Sequence, residues 1–232
     1  MRACDVNLIR HLPLFLEISP DQLPGLMETA LIQNVPPNTQ LFFQGDRPDF
    51  LHVLIEGQVE LFAISADGRE SVIEVLSPVD NFLLAAVLLD TPYLMGARVL
   101  ESARILMLPA KCLRQEISRC PKLAIAMLAS MAGQFRTMVK QLKDIKLRSG
   151  TQRLAAYLLR LNRIKGDRII LPISKKILAG RLNMSPENLS RAFATLRDYG
   201  VSVQGHSVTF SDILKLEEYG LPDALIDDVE PR

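Results

Sequence analysis

Glu187, Ser190 and Arg191 stand in the order E-x-x-S-R, directly after Ser185 and Pro186. An arginine so placed can donate two hydrogen bonds to a guanine edge, a glutamate can accept from cytosine, and a serine can meet either kind of edge. That chemistry needs the three side chains on one face of a helix that fits the DNA major groove. The spacing provides it. At about 100° per residue, Glu187, Ser190, Arg191 and Ala194 share one side, while Leu189, Phe193 and Leu196 share the other. Ser185 is expected to cap this helix, with Pro186 at its first position and Glu187 in its first turn. Asn188 lies in the same turn and joins the candidate DNA contacts with Ser185.

The elements that would hold this face are legible just upstream. Ile177, Leu178 and Leu182 form the apolar stripe of a shorter helix, and small Ala179 lets the second helix cross closely. Asn183 sits where the turn between them needs a left-handed residue, a conformation Asn tolerates better than most. Lys175 and Lys176, at the start of the first helix, are candidates for phosphate contacts. Val201 to Phe210, turning at Gln204-Gly205-His206, reads as a hairpin wing, and Ile169 to Ile173 as a short strand. A solvated surface helix is the bland alternative for Glu187–Arg191. The preceding helix, the turn residue and the hairpin weigh against it.

Charge agrees with the motif. The 232 residues carry a net charge of +1, yet Lys146 to Leu216 holds 13 Lys/Arg against 4 Asp/Glu, or +9. The first 145 residues amount to −3 and the last 16 to −5. A basic segment in a near-neutral chain is the electrostatic footprint of a nucleic-acid binder.

Other classes find little footing. Cys4, Cys112 and Cys120 form no CxxC pair and leave an odd count, against a disulfide framework or structural zinc. The N-terminus lacks a signal-peptide apolar core, and the longest apolar run, Phe82 to Leu89, is too short to span a bilayer. A cytoplasmic protein without membrane association is expected. Three scattered histidines do not supply the converging ligands of a metal-dependent enzyme, so no enzymatic activity is expected.

Four segments are expected: a sensor over 1–118, a long helix over 119–148, a DNA-binding domain over 149–216 and an acidic tail over 217–232. Residues 7 to 32 read as helical around a Ser19-Pro20 start. From Pro36 to about Leu108 the apolar period moves towards two, with short strands punctuated by Gly45, Gly57 and Gly68, as in a small antiparallel barrel or roll. Leu128, Met131, Phe135, Met138, Leu142 and Ile145 then alternate at spacings of 3 and 4, a sustained a/d seam that favours a dimer interface over packing on the helix's own domain. Arg148-Ser149-Gly150-Thr151 breaks the seam and marks the hinge. The tail shows no packing pattern after Leu225 and is expected to fray.

Roll, long helix and winged helix-turn-helix in this order resemble the CRP/FNR family of bacterial transcription regulators, over about residues 10 to 216. The resemblance is carried by Leu41 to Phe62, Asp80 to Phe82, Thr151 to Leu161 and the helix pair. It implies an α+β fold with an N-terminal cyclic-nucleotide-binding-like β-roll, a dimerisation helix and a C-terminal winged helix-turn-helix. It also implies a homodimer on palindromic double-stranded DNA and RNA polymerase as a partner. Asp90-Thr91-Pro92 is similar to the nitrate-respiration and denitrification branch, and E-x-x-S-R to the anaerobic regulators, whose half-sites are TTGAT-like. Arg191 would then read a guanine, Glu187 the cytosine of the opposite strand and Ser190 a thymine edge. A cyclic-nucleotide-binding signalling module that regulates a partner protein is the alternative.

The resemblance also frames the effector. Cyclic-nucleotide responders of the family carry FGE and a later RSA, the Glu holding the ribose and Arg with Ser the phosphate. Here Phe82 matches, but Leu83 and Leu84 replace Gly and Glu, and Met95-Gly96-Ala97 stands where Arg-Ser-Ala belongs. Cyclic AMP is therefore disfavoured. Cys4 alone near the N-terminus also disfavours the family's iron–sulfur cluster. The apolar set Phe82, Leu83, Leu84, Met95 and Met131 either packs on the long helix or lines a pocket for a flat apolar cofactor. Haem, sensing nitric oxide, is the first candidate, with His11 or His52 as ligand and Met95 or Met131 as a soft axial partner.

Overall fold

The computed structural model describes residues 9, 11–16, 18, 24–166, 168–171 and 173–227. Cys4, the Ser19-Pro20 step and the last residues of the acidic tail lie outside them. The chain divides into two compact units, Met1–Gln134 and Phe135–Arg232.

The first unit is built on two long strands, β3 (Phe50–Ile64) and β6 (Gly96–Pro109), paired antiparallel along their length. β1 (Leu31–Val35) and β2 (Gln40–Phe42) add to β6, while β4 (Glu70–Leu76) and β5 (Asn81–Phe82) add to β3. The sheet is antiparallel throughout. α1 (Pro24–Thr29) precedes it, α2 (Leu84–Leu89) follows β5, and α3 (Ala110–Arg119) follows β6. Along β3, Leu51, Val53 and Ile55 face one core with Leu84, Leu106, Leu108 and Leu113. Leu54, Val59 and Leu61 face a second core with Phe42, Phe82, Tyr93 and Ile105. Both faces of the strand are covered, which is why its apolar run is nearly continuous.

Two expectations are corrected here. Leu31 and Ile32, read as the end of a helix, begin β1 and pair with Met107 and Leu106. Short apolar stretches do not distinguish helix from strand, and the open edge of β6 decides. Gly57 is not a break between strands but a bulge inside β3, where the register to β6 shifts. Its φ of +90° and a Ser102 carbonyl oxygen 2.3 Å from any added Cβ require glycine. The Asp67-Gly68 hairpin does join β3 to β4, closing at Ile64 and Glu70.

The long helix α4 (Pro121–Leu147) runs from one unit into the other. Within the first unit it buries Leu123 and Met127, one helical turn apart, in the first core. Asn81 at the end of the roll donates to Ser130 Oγ at 2.7 Å and accepts from Gln134 Nε2.

The second unit holds the end of α4, then α5 (Gly150–Lys165), α6 (Lys175–Arg181) and α7 (Pro186–Leu196). A three-stranded sheet of β7 (Arg168–Ile170), β8 (Val201–Gln204) and β9 (Ser207–Phe210) forms the wing. α8 (Ile213–Gly220) and α9 (Ala224–Asp227) complete it. Ser149 and Gln152 form a reciprocal cap on α5, so the hinge sequence starts a helix instead of leaving a loose linker. The tail is corrected as far as Asp227: Ile226 and Asp227 are each 8% exposed and Asp227 is paired with Arg148, so these two residues are packed and not frayed.

Candidate DNA-reading head and sensor core

Every turn of the helix pair is fixed by a local bond. Ser174 Oγ accepts from the Ile177 amide and Ser185 Oγ from the Asn188 amide at 3.2 Å, capping α6 and α7. Asn183 adopts φ +51° between them. Arg153, 9% exposed, donates to the Leu182 carbonyl at 2.9 Å, the Asn183 carbonyl at 3.2 Å and the Arg148 carbonyl at 2.8 Å. It thus bolts the turn to the start of α5. Sequence reasoning missed this role; the signal was an arginine between Gln152 and the apolar run of α5.

Leu189, Ala192, Phe193 and Leu196 are buried under α7, and Ser185, Glu187, Asn188, Ser190 and Arg191 are all exposed. Asn188 Oδ1 accepts a hydrogen bond from Arg191, which pre-orients the guanidinium. The Ser185 hydrogen bond, then the helix backbone and Arg191, hold the Glu187 carboxyl below its ordinary range. It is therefore an ionised acceptor at neutral pH. Lys175 extends its ammonium over the Phe193 ring at 5.8 Å, and Lys176 is exposed on the next position. A cleft of about 310 Å³ adjoins this face, lined by Gly150, Thr151, Asn183, Asn188, Arg191 and Thr195 among others. The first turn of α5 therefore lies beside the candidate reading residues, a proximity the sequence did not disclose.

The a/d residues of α4 do not behave alike. Met131 is half buried against the first core. Leu128, Phe135, Met138, Leu142 and Ile145 are 69, 68, 65, 56 and 41% exposed. One face of the helix serves its own domain and an apolar face is left open.

The sensor residues are split. Phe82, with Leu83 and Met95 on its flank, belongs to the second core; Leu84, with Met131, belongs to the first. Leu83 has φ +57°, the left-handed conformation natural to the glycine that the cyclic-nucleotide cassette carries there. Leu84 is fully buried, and Arg98, the residue after Met95-Gly96-Ala97, is engaged elsewhere. It bonds Glu60, itself 2% exposed, and Glu70 at 2.6 Å.

His52 is 5% exposed, with its Nδ1 unpartnered. Its ring centroid lies 5.2 Å from that of Phe82 and 5.3 Å from that of Phe42. Burial holds its pKa down to about 4, so the imidazole is neutral. The residues do not fit haem: a porphyrin could reach His52 only by separating these closely packed rings, and His11 lies exposed at a turn. Cys112 and Cys120 are free thiols packed on the edge of the first core. Among the described residues no three of His, Cys, Asp and Glu gather as a metal site, and no helix is long and apolar enough to cross a membrane.

A β-roll followed by a long helix and a winged helix-turn-helix with an exposed polar reading face defines a DNA-binding regulator. Comparison with known proteins places it more narrowly. Residues 32–120 match the cyclic nucleotide-binding domain and residues 152–219 the Crp-like helix-turn-helix domain. The chain is 23% identical to a CRP-like cAMP-activated global transcriptional regulator of Mycobacterium tuberculosis, over 90% of this chain and 97% of that one. A regulatory protein from Silicibacter pomeroyi DSS-3, provisionally described as cAMP-binding, is 30% identical; the match covers 94% of this chain and 99% of that one, with a TM-score of 0.59. DNR from Pseudomonas aeruginosa is 27% identical over 94% of this chain and 99% of that one, with a TM-score of 0.51. The chain belongs to the CRP/FNR family of transcription regulators, which are not enzymes.

Proposed function

We propose that the chain acts in the cytoplasm as a homodimer, closed by the Leu128–Ile145 face of α4, which reads palindromic DNA with TTGAT-like half-sites and engages RNA polymerase. The carrying observation is the exposed Glu187–Arg191 face on a helix whose opposite side is anchored by Leu189, Phe193 and Leu196. Arg191 reads guanine, Glu187 its partner cytosine, Ser190 a thymine edge, and Asn188 orients Arg191. Ser185, Lys175, Lys176 and the first turn of α5 at Thr151 take backbone phosphates. Fluorescence anisotropy with a TTGAT-type inverted repeat and a permuted duplex tests this. Binding tighter to the repeat by about a thousandfold or more is expected, with an affinity that falls steeply as salt rises. Equal affinities would refute it.

The effector we propose is one without a cyclic phosphodiester. Some relatives are named for cyclic AMP, but here Leu84 and Met95 replace the ribose and phosphate partners and Arg98 is already neutralised by Glu60 and Glu70. A phosphate placed there would be desolvated without a cation, at a cost of several kcal/mol. The haem and nitric-oxide reading of the same apolar composition finds His52 enclosed by aromatic rings and His11 exposed at a turn, so neither residue offers an axial ligand within that apolar set. Isothermal calorimetry with cyclic AMP on the full chain should record no binding at millimolar nucleotide. A micromolar dissociation constant would overturn the exclusion.

A further inference from the structure

The C-terminal segment after the wing makes a deeply buried ion pair with the end of α4. The Arg148 side chain, at the end of α4, is 6% exposed and that of Asp227, in α9, is 8% exposed. Arg148 donates from Nη1 to Asp227 Oδ1 at 2.8 Å and from Nη2 to Oδ2 at 2.5 Å, a two-pronged pair. Nη1 also donates to Asp144 at 3.0 Å, one turn back on α4, and Nη2 to the Leu221 carbonyl at 3.1 Å. Asp227 is held in turn by the Asp223 amide at 2.8 Å, and Asp223 lies 3.6 Å from Lys143. From the same junction the Arg148 carbonyl accepts from Arg153, which grips the turn at Leu182 and Asn183. A continuous polar chain therefore runs from the tail through the hinge to the base of the reading helix.

We infer that residues 221–227 are a strap across the α4–α5 hinge, and that Asp227, through Arg148, is a positioning residue for the DNA-reading head. The physical reason is the cost of the alternative. A swing of α5 about residues 148–150 must either carry the tail with it or strand a buried guanidinium and carboxylate without partners. The strap thus holds one angle between the end of α4 and the helix pair. An effector that favours a different angle would have to offset the loss of this pair. The inference rests on the reading of the chain as a dimer that spaces two heads on a palindrome.

The test compares the full-length wild type with Asp227→Asn, which keeps shape and removes charge. Asp223→Ala serves as a second variant, because it loosens the start of α9 without stranding Arg148. Circular dichroism first establishes that each is folded. Affinity for a single half-site should stay within about threefold of wild type, while affinity for the palindrome falls by about tenfold or more. Tolerance to one or two inserted base pairs between half-sites should widen. In the free protein, amide hydrogen exchange over residues 148–153 should become faster while the roll is unchanged. Unchanged palindrome affinity with unchanged exchange would overturn the strap. So would a parallel fall in half-site and palindrome affinity, which would leave Asp227 only a structural role. If the wild type shows no palindrome preference, the dimeric reading fails; exchange alone then decides, faster at the hinge for the strap and unchanged against it.

Discussion

Phe135→Glu combined with Leu142→Glu should yield a folded monomer that no longer distinguishes a palindromic duplex from a permuted one. Both side chains are more than half exposed in the single chain, so neither contributes much to the fold of its own unit. In the proposed dimer they lie in the middle of an apolar face, where each faces its symmetry-related neighbourhood in a second copy. Burying such side chains contributes about 1.5–3 kcal/mol apiece, and two glutamates per helix would replace that gain with like-charge repulsion and desolvation. Association already carries a cost of about 4–15 kcal/mol in lost freedom, so a face interrupted twice cannot sustain a micromolar dimer. Sedimentation should give the monomer mass, and anisotropy a loss of palindrome affinity of about a thousandfold. Retained dimer mass would remove α4 as the interface.

Arg191→Ala should weaken binding to the preferred duplex by about 1–3 kcal/mol, roughly 5- to 150-fold, and abolish the preference at one guanine. The argument is geometric. Arg191 is exposed, is steadied by Asn188 and stands one turn beyond the ionised Glu187, so its loss removes a directed pair of donors while the helix keeps its buried side. Lys176→Ala supplies the contrast. A phosphate contact carries no sequence information, so this change should weaken all duplexes alike and lower the salt slope by about 0.9. Lys175 is a less clean probe because its ammonium also covers Phe193. Competition with single-base variants of the half-site decides between the two roles. If Arg191→Ala weakens every sequence equally, Arg191 is a phosphate ligand and the assignment of base reader falls.

The helix pair was legible in the residues because its determinants are local. Ser174, Ser185 and Asn183 act within three residues of where they stand, and the apolar sides of α6 and α7 repeat at helical spacing. The same holds for the Asp67-Gly68 hairpin and for the break at Ser149, where cap and turn chemistry is contained in a few consecutive side chains. The roll was legible as a class, by its period and glycines, but not strand by strand. Leu31–Val35 became a strand because an edge of β6 was open to it, and Gly57 became a bulge because Ser102 crosses beside it. Neither neighbour is near in sequence.

The sequence by itself determined the class of protein: the candidate reading face, its cap, the segregated basic charge and the apolar seam of α4 are written in short-range spacing, where backbone geometry leaves few alternatives. Tertiary structure alone decided where the effector residues go and what the tail does. Leu83 and Leu84 are adjacent in the chain, yet they pack into different cores, because the turn into α2 sends successive side chains to opposite sides of the sheet. Arg148 and Asp227 are separated by 79 positions, and no periodicity links them. Only folding removes both charges from water, and once there each is held by the other because a lone buried charge would be too costly to keep.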